Sequence, residues 1–284
     1  MKTSSKLLSC VLTTRDKTSF VNCFIQSIEK SNLSQKVELI IIIQSNSGIT
    51  FSHNRNIEIK EIHTGNLSLS KARNIGLQYA KGLIVSFPDD DCLYDRYLIK
   101  KLEELHQKFC DSSFVGILKT LDNKDHPFSG KIKLRNLSKV LISNYIDITT
   151  SVTVFFRNKN LPRFDERFGL GANFPSCEEH IFTQSLLYGQ KDLVFCKELK
   201  VFHPLVNYDE KRLRQSSIGH GAFIGLLFHK YGLLNKYTIN ALWVYYLRNI
   251  VGLLFLKKTT PLNFRKIFVK YRIKGFCEFF KCIR

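Results

Sequence analysis

The sequence predicts an α/β fold: a mixed, mostly parallel sheet flanked by helices over residues 1–206, followed by a helical, basic extension over residues 207–284. Three observations carry this expectation. Short β-branched runs alternate with helical spacings through the first half of the chain, the pattern of a largely parallel sheet covered by helices. Apolar residues make up 44% of the 284 residues, enough for one sizeable core. Beyond Asn207 the strand patterns stop and helical ones take over.

Taken in order, Leu7 to Thr13 reads as a buried strand, and Phe20, Cys23, Phe24 and Ile28 then recur at helical spacing. Glu38 to Ile43 (ELIIII) is a second buried strand, while Ile57 to His63 alternates as a half-exposed strand does. Leu69, Ala72, Ile75, Gly76 and Tyr79 mark a helix from about Ser68 to Ala80, and Leu83 to Phe87 is the next strand. Leu98, Leu102, Leu105 and Phe109 stripe the following helix. Thr149 to Phe156 predicts a strand, Arg163 to Ser176 a loop, and Cys177 to Tyr188 a helix that Gly189 ends. Lys200 to His203 is a short strand, and Arg212 to Lys230, Thr238 to Leu256 and Phe264 to Phe280 are helices.

Lys and Arg number 43 against 24 Asp and Glu, a formal net charge of +19. Such an excess implies an anionic partner: nucleic acid, a membrane surface or a phosphorylated substrate. It concentrates at the end, where Lys257, Lys258, Arg265, Lys266, Lys270, Arg272, Lys274, Lys281 and Arg284 are opposed by Glu278 alone. The eight cysteines form no CxxC pair, and several sit in apolar patterns, which predicts a reduced, cytoplasmic protein. The N-terminal apolar run is too short for a secretory signal and ends in charge.

Chemistry concentrates in FPDDDCLYD, residues 87–95, where three adjacent carboxylates follow a buried strand. Like charges this close raise each other's pKa values unless a cation sits among them. In an extended segment Asp89 and Asp91 point the same way, while Asp90 faces away and supports the loop. Two carboxylates at a strand's carboxyl end suit a magnesium or manganese ion shared with substrate phosphates. The alternative is a solvated loop, with one Asp capping the helix that begins near Asp95.

Together with the helix before it, this stretch reads SxARNxGLxxAxGxxxxFPDDDCxY and resembles the inverting family-2 glycosyltransferases of bacteria, which have the GT-A fold. The resemblance implies that Asp89 and Asp91 form the DXD pair on a metal-bound diphosphate. It implies a donor site of Thr13, Thr14, Arg15, Gln44, Arg73, Asp89 and Asp90, with Arg73 facing the donor. A guanidinium suits phosphate or a carboxylate that contacts it; a surface salt bridge is the alternative. Where the family usually carries an acidic residue on the second strand, this chain has Ile43 followed by Gln44.

A second block, FDERFGLGANFPSCEEH (164–180), resembles the family's FDExFGxGxxxxxGED segment, whose acid pair supplies the catalytic base. The resemblance implies Glu179 as the base, with Glu178 as the alternative, and an acceptor site at Gly169, Gly171 and Asn173. Here Glu179 stands for an aspartate and Cys177 for a glycine. Ser176-Cys-Glu-Glu179 also fits a capping box, which would occupy Glu179 with the helix backbone and leave Glu178 the freer acid. His203 is expected to complete the metal shell with Asp89 and Asp91, as a late histidine does in many such enzymes; a packed structural histidine is the alternative.

In the tail, Ala241 to Leu256 is apolar but is broken by Arg248 and Asn249, so it falls short of the roughly 20 apolar residues a spanning helix needs. Two readings stay open: an interfacial helix with Trp243, Tyr245 and Tyr246 at the headgroups, or a helix packed on the core. The segment Arg212 to Lys230, with Gly219-His220-Gly221, resembles the family's element after the core and is expected to shape the acceptor site. The whole resemblance implies transfer of a sugar from a nucleoside-diphosphate donor, a UDP-sugar, to a lipid-linked, lipopolysaccharide or capsule-type glycan at the cytoplasmic face of an anionic membrane. The rival readings are an inactive glycosyltransferase-like partner protein and a basic nucleic-acid binder. No nucleic-acid motif accompanies the charge, and the acidic clusters oppose a phosphate-tracking groove.

Overall fold

The computed structural model describes residues 6–15, 18–45, 51, 57–129, 132–189, 191–205, 209–247 and 262–283. Strand β1 (Leu8–Thr14) lies at the centre of a parallel group. It pairs on one side with β2 (Val37–Ile43), which pairs with β3 (Glu58–His63), and on the other with β4 (Ile84–Ser86). Helices α1 (Thr18–Glu29) and α2 (Leu69–Leu77) lie between these strands in sequence. The chain then adds β5 (Leu93–Tyr94), α3 (Leu98–Lys108), β6 (Ser113–Lys119), β7 (Ser138–Lys139), α4 (Tyr145–Ile148), β8 (Val154–Arg157), α5 (Glu178–Tyr188) and β9 (Leu193–Phe202). Among the described residues the sheet runs β3-β2-β1-β4-β8-β6-β9-β5, with β7 on β9. It is mixed, because β8 is antiparallel to both β4 and β6, while β6 and β9 are parallel.

The two faces of the sheet follow from the period of two along each strand. Leu8, Cys10, Leu12, Leu39, Ile41 and Ile43 pack with Phe24 and Ile28 of α1 and with Leu98, Leu102 and Leu105 of α3. Val11, Ile40 and Ile42 face the opposite layer, with Ala72 of α2 and Ile181, Phe182 and Leu186 of α5. The polar positions left over are the strand ends, and there the site is built.

Several elements differ from the sequence reading. The strand expected from Thr149 shortens: Ser151–Thr153 is a 3-10 turn and pairing begins at Val154. Strand β6 was not anticipated. Strand β9 begins at Leu193 rather than Lys200, because the exposed Lys197 and the neighbouring charge of Glu198 interrupt its apolar pattern where the register with β6 shifts. The eight cysteines are unpaired.

The C-terminal part comprises α6 (Glu210–Tyr231), α7 (Lys236–Leu242), a π-helical turn at Trp243–Leu247 and α8 (Leu262–Cys282). Of the helix expected over 238–256, residues 248–256 lie outside the described residues, as does the boundary expected near Asn207. These helices pack on the core: Ala222, Phe223, Leu227, Tyr237, Ala241, Val244, Tyr245 and Phe279 belong to the same apolar cluster as Val11, Phe87 and Phe182. Helices α6 and α8 meet through glycines. A side chain begun at Gly221 would lie 1.9 Å from the Arg272 carbonyl oxygen, and one begun at Gly275 2.0 Å from that of Ile218. No helix among the described residues is long and apolar enough to cross a membrane.

Candidate active site

The carboxyl ends of β1, β2 and β4 open onto a cleft of about 520 Å³. Its walls include Thr13, Thr14, Arg15 and Gln44 from the first two strands and Asp89, Asp90 and Asp91 from the loop after β4. Strand β4 ends at Ser86, and the turn that follows brings the three aspartates to the mouth of the cleft. Thr14 Oγ1 donates to Asp90 Oδ2 at 2.9 Å, so Asp90 ties the acidic loop to the end of β1. Gln44 accepts the backbone N–H of Leu67 at 3.0 Å through its side-chain oxygen, which fixes the approach to α2.

Asp89, Asp91 and His203 each offer one ligand atom, and these atoms all lie within 4.8 Å of one another. His203 Nε2 stands 3.2 Å from Asp91 Oδ1 and 3.9 Å from Asp89 Oδ2. Its Nδ1 sits 2.7 Å from the Pro204 carbonyl oxygen and, as the N–H tautomer, donates to it, which turns Nε2 toward the carboxylates. The backbone N–H of His203 donates to the Lys119 carbonyl, so the β6–β9 pairing sets its height. Burial disfavours the imidazolium, but the bonds to Asp91 and Pro204 outweigh it and hold the His203 pKa above its ordinary value.

Arg73 sits behind Asp89 rather than on the cleft wall, with 1% of its surface exposed. Its NH2 donates to Asp89 Oδ1 at 3.2 Å and its NH1 to Glu178 Oε1 at 3.1 Å, while the rings of Phe87 and Phe164 flank it. Arg73 is thus not the surface ion pair that the sequence left as the alternative, and it is not among the residues that wall the cleft. It is the cation that relieves the repulsion between the acidic loop and the acid pair on α5. The neighbouring Asn74 was not singled out from the sequence. It donates to the Phe164 carbonyl at 3.0 Å and accepts the Phe164 N–H at 2.8 Å, clamping the 164–176 loop to α2. Ser70 adds a bond of 2.6 Å to the Phe168 carbonyl.

The acid pair opens α5, but no capping box forms. Cys177 occupies the N-cap in the left-handed conformation, φ 74°, and makes no side-chain cap bond. That turn swings Ser176 away, and its hydroxyl donates to the Ser216 carbonyl on α6 at 3.0 Å. A left-handed φ also explains why a glycine suits this position in the family pattern. Glu178 is held by Arg73, so Glu179 is the less committed acid, with 22% of its side chain exposed. Burial and the neighbouring Glu179 push the Glu178 pKa up to about 7 against the opposing pull of Arg73. Burial also raises Glu179.

Of the residues expected to meet an acceptor, Gly169 is buried at φ 100° with Ser70 and Glu178 against it, so a side chain there would be both strained and crowded. Gly171 and Asn173 are exposed but do not line the cleft; Leu170 and Pro175 do. Arg212, Gln215 and Ser216 of α6 also line it, and only the general position of this segment was legible in sequence. A second cleft of about 550 Å³ lies on the other side of Asp89 and His203, walled by Leu118, His126, Phe128, Thr150 and Leu205.

Residues 10–172, more than half of the chain, match the family model described as Glycosyl transferase family 2. The chain belongs to this family. As a family-2 glycosyltransferase it has the GT-A arrangement: a mixed, mostly parallel sheet flanked by helices, with the acidic loop at the end of β4. The crystal structure of S. aureus TarS 1-349 shares this fold with a TM-score of 0.62 at 14% identity, over 96% of this chain and 81% of that one. The same TarS segment in complex with UDP-GlcNAc gives a TM-score of 0.61 at 13% identity, over 95% and 81%. No curated protein matches the chain significantly.

Proposed function

We propose that this chain is an inverting, metal-dependent glycosyltransferase. It moves a hexosyl or N-acetylhexosaminyl group from a UDP-sugar to a hydroxyl of a lipid-linked, lipopolysaccharide or capsule-type glycan at the inner face of a bacterial membrane. The observation that carries this reading is the convergence of Asp89, Asp91 and His203 at the mouth of the cleft, joined through Arg73 to the acid pair on α5. The UDP-GlcNAc complex of TarS, a protein of like fold, supports the choice of donor.

The donor set of two carboxylate oxygens and one imidazole nitrogen fits magnesium or manganese. Such an ion, bound by Asp89, Asp91 and His203, would supply positive charge to a departing diphosphate. The chain's own residues account for the rest. Arg15 and Arg212 flank the cleft and offer cationic partners to the phosphates. Glu179 takes the proton from the acceptor hydroxyl. That oxygen attacks the anomeric carbon from the face opposite the diphosphate, and the bond from carbon to the diphosphate oxygen breaks with inversion. A carboxylate raised by burial is a stronger base than one in water, so the apolar setting of α5 serves this step. The second cleft, beside Asp89 and His203, is the space we assign to the acceptor.

A panel of nucleotide-sugars incubated with the purified protein and manganese, scored by mass spectrometry, tests the reading. Consumption of a UDP-sugar is the expected result; inertness toward every donor, with and without acceptor lipids, would overturn it. Glu179→Gln should reduce kcat at least about a hundredfold with little change in donor affinity. A loss confined to Glu178→Gln would exchange the two roles.

A further inference from the structure

The proposed lipid-linked acceptor raises the question of which surface meets the bilayer, and the C-terminal helices supply one. Ile239, Trp243 and Leu247 recur every four residues along α7 and the π-helical turn, and they are 50%, 50% and 48% exposed. Leu234, in the turn that leads into α7, is 87% exposed. Large apolar side chains in a row on one helix face mark an interaction surface, unlike scattered ones. The other face of the same helix is satisfied: Tyr237, Ala241, Val244 and Tyr245 are buried in the core. The packed reading of this helix therefore describes that face, Tyr245 and the partly buried Tyr246 included, and leaves the row at Ile239, Trp243 and Leu247 outside it.

We infer that the Leu234–Leu247 face inserts into an anionic lipid surface, with Trp243 as its interfacial anchor. Charge decides between this and a second copy of the chain. From Lys211 to Arg284 the sequence carries one acidic residue, Glu278. Lys230 and Lys236 flank the apolar row, and Lys266, Lys270 and Lys274 form an exposed stripe along α8. Two such surfaces repel each other, whereas each lysine near an anionic membrane is attracted to it. An apolar face bearing Trp and Leu, with Lys230 and Lys236 preceding and opening its helix, has the chemistry of an interfacial helix. The inference rests on the proposed acceptor only for its purpose; the surface stands or falls by binding.

Trp243 is the only tryptophan in the chain, so its fluorescence reports on this face without any substitution. Titration with phosphatidylcholine vesicles containing phosphatidylglycerol should shift its emission to the blue, and brominated lipid should quench it. Vesicles of phosphatidylcholine alone should bind at least about tenfold more weakly. Ile239→Ser combined with Leu247→Ser, which keeps the reporter and touches no buried residue, should weaken binding to the anionic vesicles about tenfold or more with an unchanged thermal midpoint. An emission spectrum indifferent to lipid, or a variant that binds like the parent, would overturn the inference. So would a wild-type dimer that the double substitution dissociates. Turnover of a UDP-sugar with a water-soluble acceptor is measured separately. Vesicle binding without turnover counts against the enzyme reading alone, and turnover without vesicle binding against the surface alone.

Discussion

At the scale of single residues, Arg73 shows how one buried cation organises a site. Its two donor groups hold Asp89 of the acidic loop and Glu178 of the acid pair on α5, so both acidic clusters share one guanidinium. Two titrations follow. The folded pKa of Glu178 is about 7, above the ordinary 4.5. A carboxyl that binds its proton more tightly when folded adds stability below its ordinary pKa and loses that contribution as pH rises through the folded value. Urea unfolding should therefore report falling stability between about pH 5 and about pH 7.5, and Glu178→Gln should flatten that slope. An unchanged slope in the variant would mean that Glu178 is not the responsible group. His203 titrates on the other side of the site. With its pKa above 6.5, protons compete with a metal for Nε2, so manganese affinity measured by calorimetry should fall as pH drops through that raised value, by up to about tenfold per unit. His203→Ala should lose both the affinity and its pH dependence.

At the scale of elements, α6 and α8 cross with their backbones in close approach, and the crossing bears on the cleft. Backbone stands within about 2 Å of where a side chain at Gly221 or Gly275 would begin, and backbone cannot rotate away. Gly221→Leu is therefore expected to force the helices apart at a cost of roughly 1–3 kcal/mol, seen as a lower thermal midpoint. Because α6 also carries Arg212, Gln215 and Ser216 to the cleft, the same variant should bind UDP more weakly in calorimetry. A variant with parental stability and affinity would show that the crossing is not needed to set α6. The loop over 164–176 is held differently, by side chains of α2. Ser70 and Asn74 bond its backbone at three points, which gives the segment from Ser70 to Asn74 a structural role beside its electrostatic one.

At the scale of the whole molecule, the C-terminal helices are part of the core rather than an appendage. Phe223, Leu227, Tyr237 and Phe279 lie in one apolar cluster with residues of β1, β4 and α5. A chain ending after residue 206 would expose that cluster, so it should aggregate or unfold without cooperativity in circular dichroism melts. A monomeric fragment that melts cooperatively would instead make residues 1–206 an independent domain.

How much of this was legible follows the range of the forces involved. Period and β-branching are local, so β1 to β4, α1 to α3, α5 and the α/β class could be read from the sequence; the acidic loop and the acid pair were legible as motifs, and the GT-A class came from their resemblance to the family. Strand β6 and the first half of β9 could not, because a bulge and mid-strand charges broke the local pattern. The sequence by itself determined which chemical groups the chain brings: three aspartates, an acid pair, a late histidine and a basic tail. Only the tertiary structure decided how they are spent. It buried Arg73 between two carboxylates, turned Cys177 left-handed so that Glu179 is not a cap, and set Tyr245 in the core with Trp243 outside. Each of these depends on contacts between residues far apart in the chain, such as Arg73 with Glu178 and Ser176 with Ser216, which no local period encodes.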